Sequence, residues 1–343
     1  MTEIIQNQIT SADAWIGSKM QRTEDWVWNL TEEDLSEITG ALAHTKRAGS
    51  KIPFAADAFP LGSFRKKLEK IVGSITHGTG VAFIRGISRS DYSDQDCELL
   101  YWGLGVHIGR PVSQNSRGHL LGHVTDEGKD LSDPNARGYQ TRNRLDFHCD
   151  QLPTDIIGLF CLRGAKSGGA SYLVSAPAVH NVLLEERPDM VAPLYEMFHI
   201  DWRGDHPDGG QPWYDMPMYS ASRGKLSARF TNRAFIESTT RYGDHLAATD
   251  EQWEALDVVQ EIANRPELRL EMDFQEGDIQ LINNLTVMHA RQSYEDYEEP
   301  EMKRHLLRMW IGLPDEKRRP LSPLLDERYE YVRNGGIPKQ AAA

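Results

Sequence analysis

The chain is poor in cysteine, in long apolar runs and in clusters of basic residues. Its three cysteines, Cys97, Cys149 and Cys161, are too widely spaced for a disulfide framework or a Cys-x-x-Cys zinc site. They favour buried free thiols and a cytoplasmic location. No run approaches the roughly 18 apolar residues of a membrane span, and the first residues lack the basic flank and apolar core of a signal peptide. A net charge of −13 argues against nucleic acid as a partner.

Helix signals are present at three places along the 343 residues, of which 39% are apolar and support a folded core. Each signal is a capping box, in which a hydroxyl residue is followed three positions later by an acidic or amide residue. The pairs are Thr31 with Asp34, Ser93 with Asp96, and Thr249 with Gln252. Apolar residues at helical spacing follow each box, so we predict three amphipathic helices.

Eight short runs rich in β-branched and aromatic residues predict strands, because glycine, proline, asparagine and aspartate separate them. They cover residues 80–86, 144–150, 156–164, 170–176, 225–230, 268–274, 277–284 and 304–313. Strands and helices do not alternate regularly, which argues against a doubly wound parallel sheet. We predict a mainly β fold with flanking helices and a jelly-roll (double-stranded β-helix) core.

The predicted organisation has three parts. A helical extension over 1–75 packs on the core, the jelly-roll domain covers 76–320, and a C-terminal tail covers 321–343. The stretch 203–220 is too rich in glycine and proline for a core element. It predicts a long loop that is either a lid over a functional site or a plain surface loop.

Three His-x-Asp triplets stand out, because residues two apart on a strand point to the same side. They are His148 with Asp150, His199 with Asp201, and His206 with Asp208. The second lacks a downstream partner, and the third contains a proline within the glycine-rich loop. The first lies in a predicted strand, and His289 follows another predicted strand as a third ligand. Two histidines and one carboxylate on one face of a metal leave positions open, as in non-haem iron(II) oxygenases.

The predicted strand over 304–313 carries two arginines on one face. Arg304 and Arg308 stand roughly 13 Å apart along a strand, too far to bind one small carboxylate together. A buried arginine needs a negative partner, so one of them can hold a dicarboxylic cosubstrate. The alternative is an exposed strand whose arginines are solvated or pair with the acidic loop 294–301.

The ordered set of motifs resembles the taurine dioxygenase and clavaminate-synthase-like family of iron(II)/2-oxoglutarate oxygenases. That family has a His-x-Asp strand, a Gly-Gly-x-Thr strand start, a strand with Gly-Asp, Asn and His, and an Arg-x3-Arg strand. Here these are FHCD at 147–150, GGAS at 168–171, GDIQLINNLTVMH at 277–289 and RHLLR at 304–308. The match covers residues 80–313, roughly.

The resemblance implies a role for each matching residue. Iron(II) is bound by His148, Asp150 and His289. Arg304 forms a two-pronged salt bridge to the distal carboxylate of 2-oxoglutarate, a geometry that suits a guanidinium. Ser171 supplies the hydroxyl that is usually a threonine, a departure that puts the cosubstrate affinity in doubt. Arg308 faces the substrate.

The resemblance also implies the reaction. With O2 as the second cosubstrate, an unactivated C–H bond of a small metabolite is hydroxylated, and succinate and CO2 are released. Desaturation or cyclisation by the same oxidant in natural-product biosynthesis is an alternative. Because Asp150 is present, halogenation is disfavoured. Two further hypotheses are a non-catalytic jelly-roll ligand-binding protein and a zinc hydrolase that uses His119 and His123.

Candidate substrate contacts flank the triad strand. Tyr139, Asn143 and Arg144 precede it, and Trp213, with Tyr214, lies in the predicted lid. Cys149 should face away from the metal, since neighbouring residues of a strand point to opposite sides. Members of the family are often dimers or tetramers, so the resemblance is compatible with a homo-oligomer.

Overall fold

The computed structural model describes residues 3–130, 133 and 135–340. In this part of the chain the helices are α1 (Gly17–Thr23), α2 (Glu32–Arg47), α3 (Phe64–His77), α4 (Asp94–Ile108), α5 (Ala176–Glu186), α6 (Arg233–Glu237), α7 (Asp250–Ala263) and α8 (Pro323–Arg333). The first strands are β1 (Val27–Asn29), β2 (Val81–Arg85), β3 (Arg110–Val112), β4 (Leu121–Val124), β5 (Leu145–His148), β6 (Ile156–Arg163), β7 (Ser167–Gly168) and β8 (Ser171–Ser175). The remaining strands are β9 (Phe198–Asp201), β10 (Trp213–Met216), β11 (Tyr219–Ser222), β12 (Lys225–Ala228), β13 (Arg269–Met272), β14 (Ile279–Asn283), β15 (Val287–Arg291), β16 (Tyr294–Glu295) and β17 (His305–Gly312).

Two sheets form the centre of the molecule. The larger has the order β1-β2-β14-β6-β17-β3, and β4 also pairs with β17. Only the β1–β2 pair in it is parallel. The smaller sheet has the order β13-β8-β15-β5 and is antiparallel. The described chain is therefore mostly sheet with helices, as predicted.

The larger sheet is buried on both faces, and its side chains alternate between two environments. On β17, Leu307, Met309 and Ile311 belong to a core that also contains the apolar faces of α2, α3 and α4. On the same strand, Leu306 and Arg308 lie on the other face and line a pocket between the two sheets. One face of β17 therefore packs in the core, and the other face, which carries Arg308 among apolar residues, lines the pocket.

The capping boxes fix where the helices that cover the sheets begin. Thr31, Ser93 and Thr249 each accept a hydrogen bond from the backbone three residues on, and the third residue of each helix bonds back to the cap. These bonds satisfy amide groups that a helix start would otherwise leave unpaired. All three predicted helix starts are confirmed.

The glycine-rich stretch 203–220 differs from the predicted open loop. It contains β10 and the start of β11, and Tyr214, Met216 and Met218 are buried in the core. Most of its glycines and prolines lie in a short turn around residues 207–212, and its methionine side chains and Tyr214 pack inward from the strands that follow. The stretch is a packed part of the fold, and the turn is its exposed end.

Both ends of the chain contribute to the two central sheets or the core around them. β1 joins the edge of the larger sheet, and Ile5 and Ile9 pack against the core. At the other end, α8 buries Leu325 and Tyr329. In the part of the chain that the structure describes, no helix has the length and apolarity to cross a membrane.

Candidate active site

Three side chains from the smaller sheet converge on the pocket. His148 ends β5 and lies directly opposite His289 on β15, while Asp150 follows two residues after the strand end. The Nε2 atoms of His289 and His148 lie 3.6 Å and 4.0 Å from Asp150 Oδ1. The candidate ligand atoms of all three lie within 4.8 Å of one another. The fold therefore brings together His148, Asp150 and His289, the three residues that the sequence predicts as metal ligands.

Hydrogen bonds orient two of the three side chains. His148 Nδ1 lies 2.7 Å from the carbonyl oxygen of Asp146, which leaves Nε2 turned to the site. Asp150 Oδ2 accepts a 2.5 Å bond from Trp310 Nε1 and lies 3.3 Å from Arg308 Nη1. The other oxygen of Asp150, Oδ1, faces the two histidines and remains available to bind a metal. Such outer partners fix the direction of ligands before a metal binds.

The electrostatics keep the three groups in the form that binds a metal. Burial lowers the pKa of His148 and takes that of His289 to about 3, so both imidazoles are neutral. Burial alone would raise the pKa of Asp150, but the positive charge of Arg308, with the hydrogen bond from Trp310, outweighs it and lowers the pKa to about 2. A carboxylate and two neutral imidazoles are a set of metal donors.

The turn that carries Asp150 is held by a buried amide and a buried guanidinium. Asn284 Oδ1 accepts a 2.9 Å bond from the backbone nitrogen of Asp150, and Asn284 Nδ2 donates 2.8 Å to the Leu152 carbonyl. Arg229 donates to the carbonyls of Asp150 and Gln151. The chain therefore leaves the strand at a fixed angle, although Asp150 itself is no longer in β5.

Cys149 lies between the two ligands but its thiol is directed elsewhere. Its Sγ is 3.4 Å from the carbonyl oxygen of Ala228, to which it donates. The side chain is buried in the core, and burial raises the pKa of the thiol to about 11. The thiol is therefore protonated and belongs to the packing, as predicted.

Arg304 lies at one end of the pocket and is a buried cation without a carboxylate. It is 6% exposed, and none of the ion pairs among the described residues includes it. Its guanidinium lies over the Tyr294 ring at 5.2 Å, and its Nη1 is buried without a hydrogen-bond partner. Burial lowers its pKa. Ser171 and Arg291 line the same end.

Arg308 lies further along β17 and is fully engaged. Its Nε donates 2.7 Å to Gln114 Oε1, and its Nη1 faces Asp150. The guanidinium lies over the rings of Tyr139 and Trp310, at 4.7 and 5.1 Å. Arg308 and Tyr139 both line the pocket, and their role as substrate contacts stays a prediction.

Three predicted substrate contacts are not brought to the pocket, which corrects the expectation. Asn143 and Arg144 are exposed, and Arg144 bonds to Asp146 and Asn264 at the surface. Trp213 pairs on β10 with Asp201 and stacks on Tyr242 at 5.6 Å. The segment before β5 turns outward after Tyr139, and β10 pairs with β9 away from the centre. Proximity in sequence to the triad therefore did not imply proximity to the pocket.

Within the described part of the chain, the other histidines form no second cluster of three candidate metal ligands. His199 bonds to Asp215 at 2.7 Å, while Asp201 pairs with Arg241. His119 and His123 are exposed, and β4 carries His123 as a strand residue, so the helical spacing of the zinc hypothesis is absent. Among the described residues, the group around Asp150 is the one cluster of three that could hold a metal.

Several residues of the pocket were missed from the sequence. They include the polar Gln114, Arg137 and Asp205 and the aromatic Phe235. Each comes from a different segment, and none lies in a motif. Asp205 lies in the predicted lid, 203–220. This segment does reach the pocket, but through Asp205 and not through the expected Trp213 and Tyr214. The remaining three carried no signal that sequence alone could supply.

Comparisons with known proteins agree with this geometry. Residues 44–310 match the family model described as "Taurine catabolism dioxygenase TauD, TfdA family". The chain is 32% identical over 327 residues to the FR-33289 synthase of Streptomyces rubellomurinus, covering 94% of this chain and 95% of that protein. It is 31% identical over 325 residues to the taurine hydroxylase-like protein SAT17 of Stachybotrys chartarum, covering 92% and 82%.

The fold is similar to that of a solved asparagine oxygenase in complex with Fe(II), 2S,3S-3-hydroxyasparagine and succinate. The TM-score is 0.62 at 15% identity, covering 92% of this chain and all of that one. Fold and site together define a 2-oxoglutarate-dependent oxygenase of the non-haem iron class. The chain belongs to the taurine catabolism dioxygenase TauD, TfdA family.

Proposed function

We propose that the chain hydroxylates an unactivated C–H bond of a small metabolite, with iron(II) held by His148, Asp150 and His289. The observation that carries this proposal is that the three ligands open into a pocket whose far end holds the unpaired Arg304. A metal site and a buried cation in one cavity suit an anionic chelating cosubstrate.

The donor set fits iron(II). Two imidazoles and one carboxylate are the set that leaves open positions for a cosubstrate and oxygen, whereas structural zinc sites use four ligands, usually with cysteines. The nearest cysteine thiol, that of Cys149, bonds to a carbonyl and stays protonated. His148 and Asp150 each have one polar atom engaged and the other turned to the centre.

The cosubstrate end fits 2-oxoglutarate. A buried guanidinium without a counter-ion is costly unless a ligand supplies one. Arg304 would bind the distal carboxylate through its fork, with the Ser171 hydroxyl as a second donor. Arg291, which donates to the carbonyls of Thr141 and Asn143, adds positive charge at the same end.

When bound, iron(II) with 2-oxoglutarate and O2 supplies the oxidant that replaces C–H by C–OH as succinate and CO2 form. The chain's own residues orient and exclude water. Arg308 and Tyr139 face the substrate, and Leu159 and Leu306 form apolar walls of the pocket. Trp310 and Arg308 hold the outer oxygen of Asp150, so that the ligand cannot rotate towards solvent.

The finer fold assignment belongs to the same proposal. The two facing sheets with the site between them fit a jelly-roll (double-stranded β-helix) core. The structural neighbour named as a complex with a hydroxylated amino acid and succinate supports hydroxylation of a small molecule. The cytoplasmic location, the homo-oligomer and the boundaries of the three parts of the chain stay predictions.

Desaturation or cyclisation would use the same centre and differ in the substrate that the pocket holds. A non-catalytic ligand-binding protein would not need a complete ligand triad, and here the three candidate donors lie together. The first experiment is therefore a screen of small metabolites for stimulated release of succinate from 2-oxoglutarate. Release that requires both iron(II) and 2-oxoglutarate supports the proposal, and a preparation that binds neither contradicts it.

A further inference from the structure

The proposed reaction leaves one deeply buried polar side chain of the pocket without a role. Gln280 lies on β14, in the motif that ends at His289, and is 1% exposed. Its neighbours Ile279 and Leu281 belong to the core under α2, α3 and α4. Because side chains alternate along a strand, Gln280 points to the opposite face, where it lines the pocket. The strand thus places an amide inside the cavity.

The amide of Gln280 has no partner among the described residues. Its Nε2 is enclosed and makes no hydrogen bond to any of them. Its cross-strand neighbours are apolar, Phe83 on β2 and Leu159 on β6. Buried amides are nearly always paired, because taking a donor out of water without a new hydrogen bond is costly. An unpaired donor that faces a cavity therefore indicates an acceptor on a ligand.

Arg304 has the same feature, since its Nη1 is buried without a hydrogen-bond partner. Leu306, two residues further along, pairs with Cys161 on β6. Burial raises the pKa of the Cys161 thiol to about 12, and the positive charge of Arg304 opposes that rise. The guanidinium therefore lies near the thiol of Cys161.

Gln280 approaches Cys161 from the other side. β6 lies between β14 and β17 in the larger sheet. Gln280 pairs with Leu159, so Cys161 is its diagonal neighbour on the same face. Diagonal neighbours are about 7–8 Å apart, a distance that long side chains span. Gln280 and Arg304 therefore flank one residue of β6, and their unpaired donors face the same part of the pocket.

The distal carboxylate of the proposed cosubstrate has more acceptor sites than Arg304 can fill. An ionised carboxylate has about four lone-pair sites, and the fork of a guanidinium uses two of them. The Ser171 hydroxyl, which lines the pocket from β8, would take a third. The amide of Gln280, from β14, suits the fourth.

We propose that Gln280 is a further cosubstrate-binding residue, whose side-chain N–H donates to the distal carboxylate of 2-oxoglutarate beside Arg304. This inference rests on the proposed function. It makes the site selective for keto acids with a second carboxylate. A keto acid that ends in a methyl group would leave both the amide and the guanidinium buried and unpaired.

Isothermal titration of the anaerobic protein loaded with iron(II) tests this with two probes. 2-Oxoglutarate carries the distal carboxylate, and 2-oxovalerate has the same carbon chain with a methyl group in its place. Gln280→Met keeps the length of the side chain and removes the amide. It should weaken binding of 2-oxoglutarate about tenfold or more, as expected for a lost hydrogen bond to a charged group. Its affinity for 2-oxovalerate should equal that of the wild type.

Stability without metal or cosubstrate distinguishes this binding role from a structural one. Gln280→Met should unfold at the same temperature as the wild type or a higher one, since it removes an amide without a protein partner. The matched control is Gln252→Met, because the buried Gln252 amide donates 3.1 Å to the Met197 carbonyl and accepts 3.0 Å from the Thr249 nitrogen. The control should unfold at a lower temperature and bind 2-oxoglutarate as the wild type does.

Three results would overturn the inference. They are an unchanged affinity of Gln280→Met for 2-oxoglutarate, an equal weakening of both probes, and a fall in unfolding temperature as large as that of the control. Where Gln280→Met does not fold, Gln280→Leu, which also lacks the amide, decides by the same criteria. A wild type that does not bind 2-oxoglutarate would instead contradict the proposed function itself.

Discussion

Arg304, the residue just before β17, and Arg308, on β17, both line the pocket and yet have opposite surroundings. Arg308 has an acceptor or ring on every side, from Gln114, Asp150 and Tyr139. Arg304 is more deeply buried and forms no ion pair with a described residue, and its Nη1 has no partner. The protein neutralises one cation itself and leaves the other for a ligand.

This difference separates two arginines that strand spacing alone does not distinguish. A buried charge with its partners in place contributes to the folded structure and positions its neighbours. A buried charge without partners costs stability until a ligand arrives. Under the proposed function, Arg304 would therefore mark the cosubstrate end, whereas Arg308 supports Asp150, the proposed metal ligand.

The largest expected effect comes from removing a proposed metal ligand, which lies in the pocket that Arg304 and Arg308 also line. His148→Ala should abolish stoichiometric iron binding and reduce succinate release to background, because two ligands cannot hold the metal alone. Metal analysis and a succinate assay measure this. His199→Ala, from another His-x-Asp triplet that pairs with Asp215, is the control and should retain both. Equal retention of iron by the two variants would refute the assignment of the centre.

Arg308→Gln should destabilise the metal-free protein by about 3 kcal/mol, because the Asp150 carboxylate loses its charged partner while still buried. Urea unfolding in the presence of a chelator gives the free energy of unfolding. Iron(II) should recover part of the loss, since the metal neutralises the same carboxylate. If metal-free Arg308→Gln were as stable as the wild type, Arg308 would have no supporting role.

Arg304→Gln, unlike Arg308→Gln, should not destabilise the metal-free protein. Its metal-free stability should equal or exceed that of the wild type, because an unpaired buried charge is removed. The KM for 2-oxoglutarate should rise about thirtyfold, corresponding to about 2 kcal/mol for a lost charged hydrogen bond. Steady-state assays over a range of 2-oxoglutarate concentrations measure the KM. An unchanged KM would place the cosubstrate elsewhere.

Substitutions of Ser171, which lines the pocket near Arg304, should have the smallest effect on the KM for 2-oxoglutarate. Ser171→Ala should raise the KM for 2-oxoglutarate about fivefold, for the loss of one neutral hydrogen bond worth about 1 kcal/mol. Ser171→Thr keeps the hydroxyl and should stay within about twofold of the wild type. A larger change for threonine than for alanine would show that space, and not the hydroxyl, matters at this position.

The parts of the fold that depend on local rules could be predicted. The three capping boxes require residues only three apart, and all three helix starts are confirmed. The spacing of four residues predicted that both arginines lie on one side of the strand, and both line the pocket. The three candidate ligands came from the order of motifs along the chain, and their ligand atoms lie within 4.8 Å of one another.

What could not be predicted depends on contacts between distant segments. Arg137, Gln114 and Asp205 meet in the pocket only because three loops converge there. Trp213 was expected at the pocket because it lies in a glycine-rich stretch, but pairing of β10 with β9 takes it away. The partners that distinguish Arg308 from Arg304 are likewise tertiary, so spacing alone could not separate the two arginines, and only the family resemblance gave them different roles.

A crystal structure of the anaerobic complex with iron(II) and 2-oxoglutarate tests the central contrast most directly. The account predicts iron bound by His148, Asp150 and His289, and the distal carboxylate of 2-oxoglutarate in a two-pronged contact with Arg304. Arg308 should keep its bonds to Gln114 and Asp150. A complex in which 2-oxoglutarate pairs with Arg308 and leaves Arg304 without an anion would contradict it.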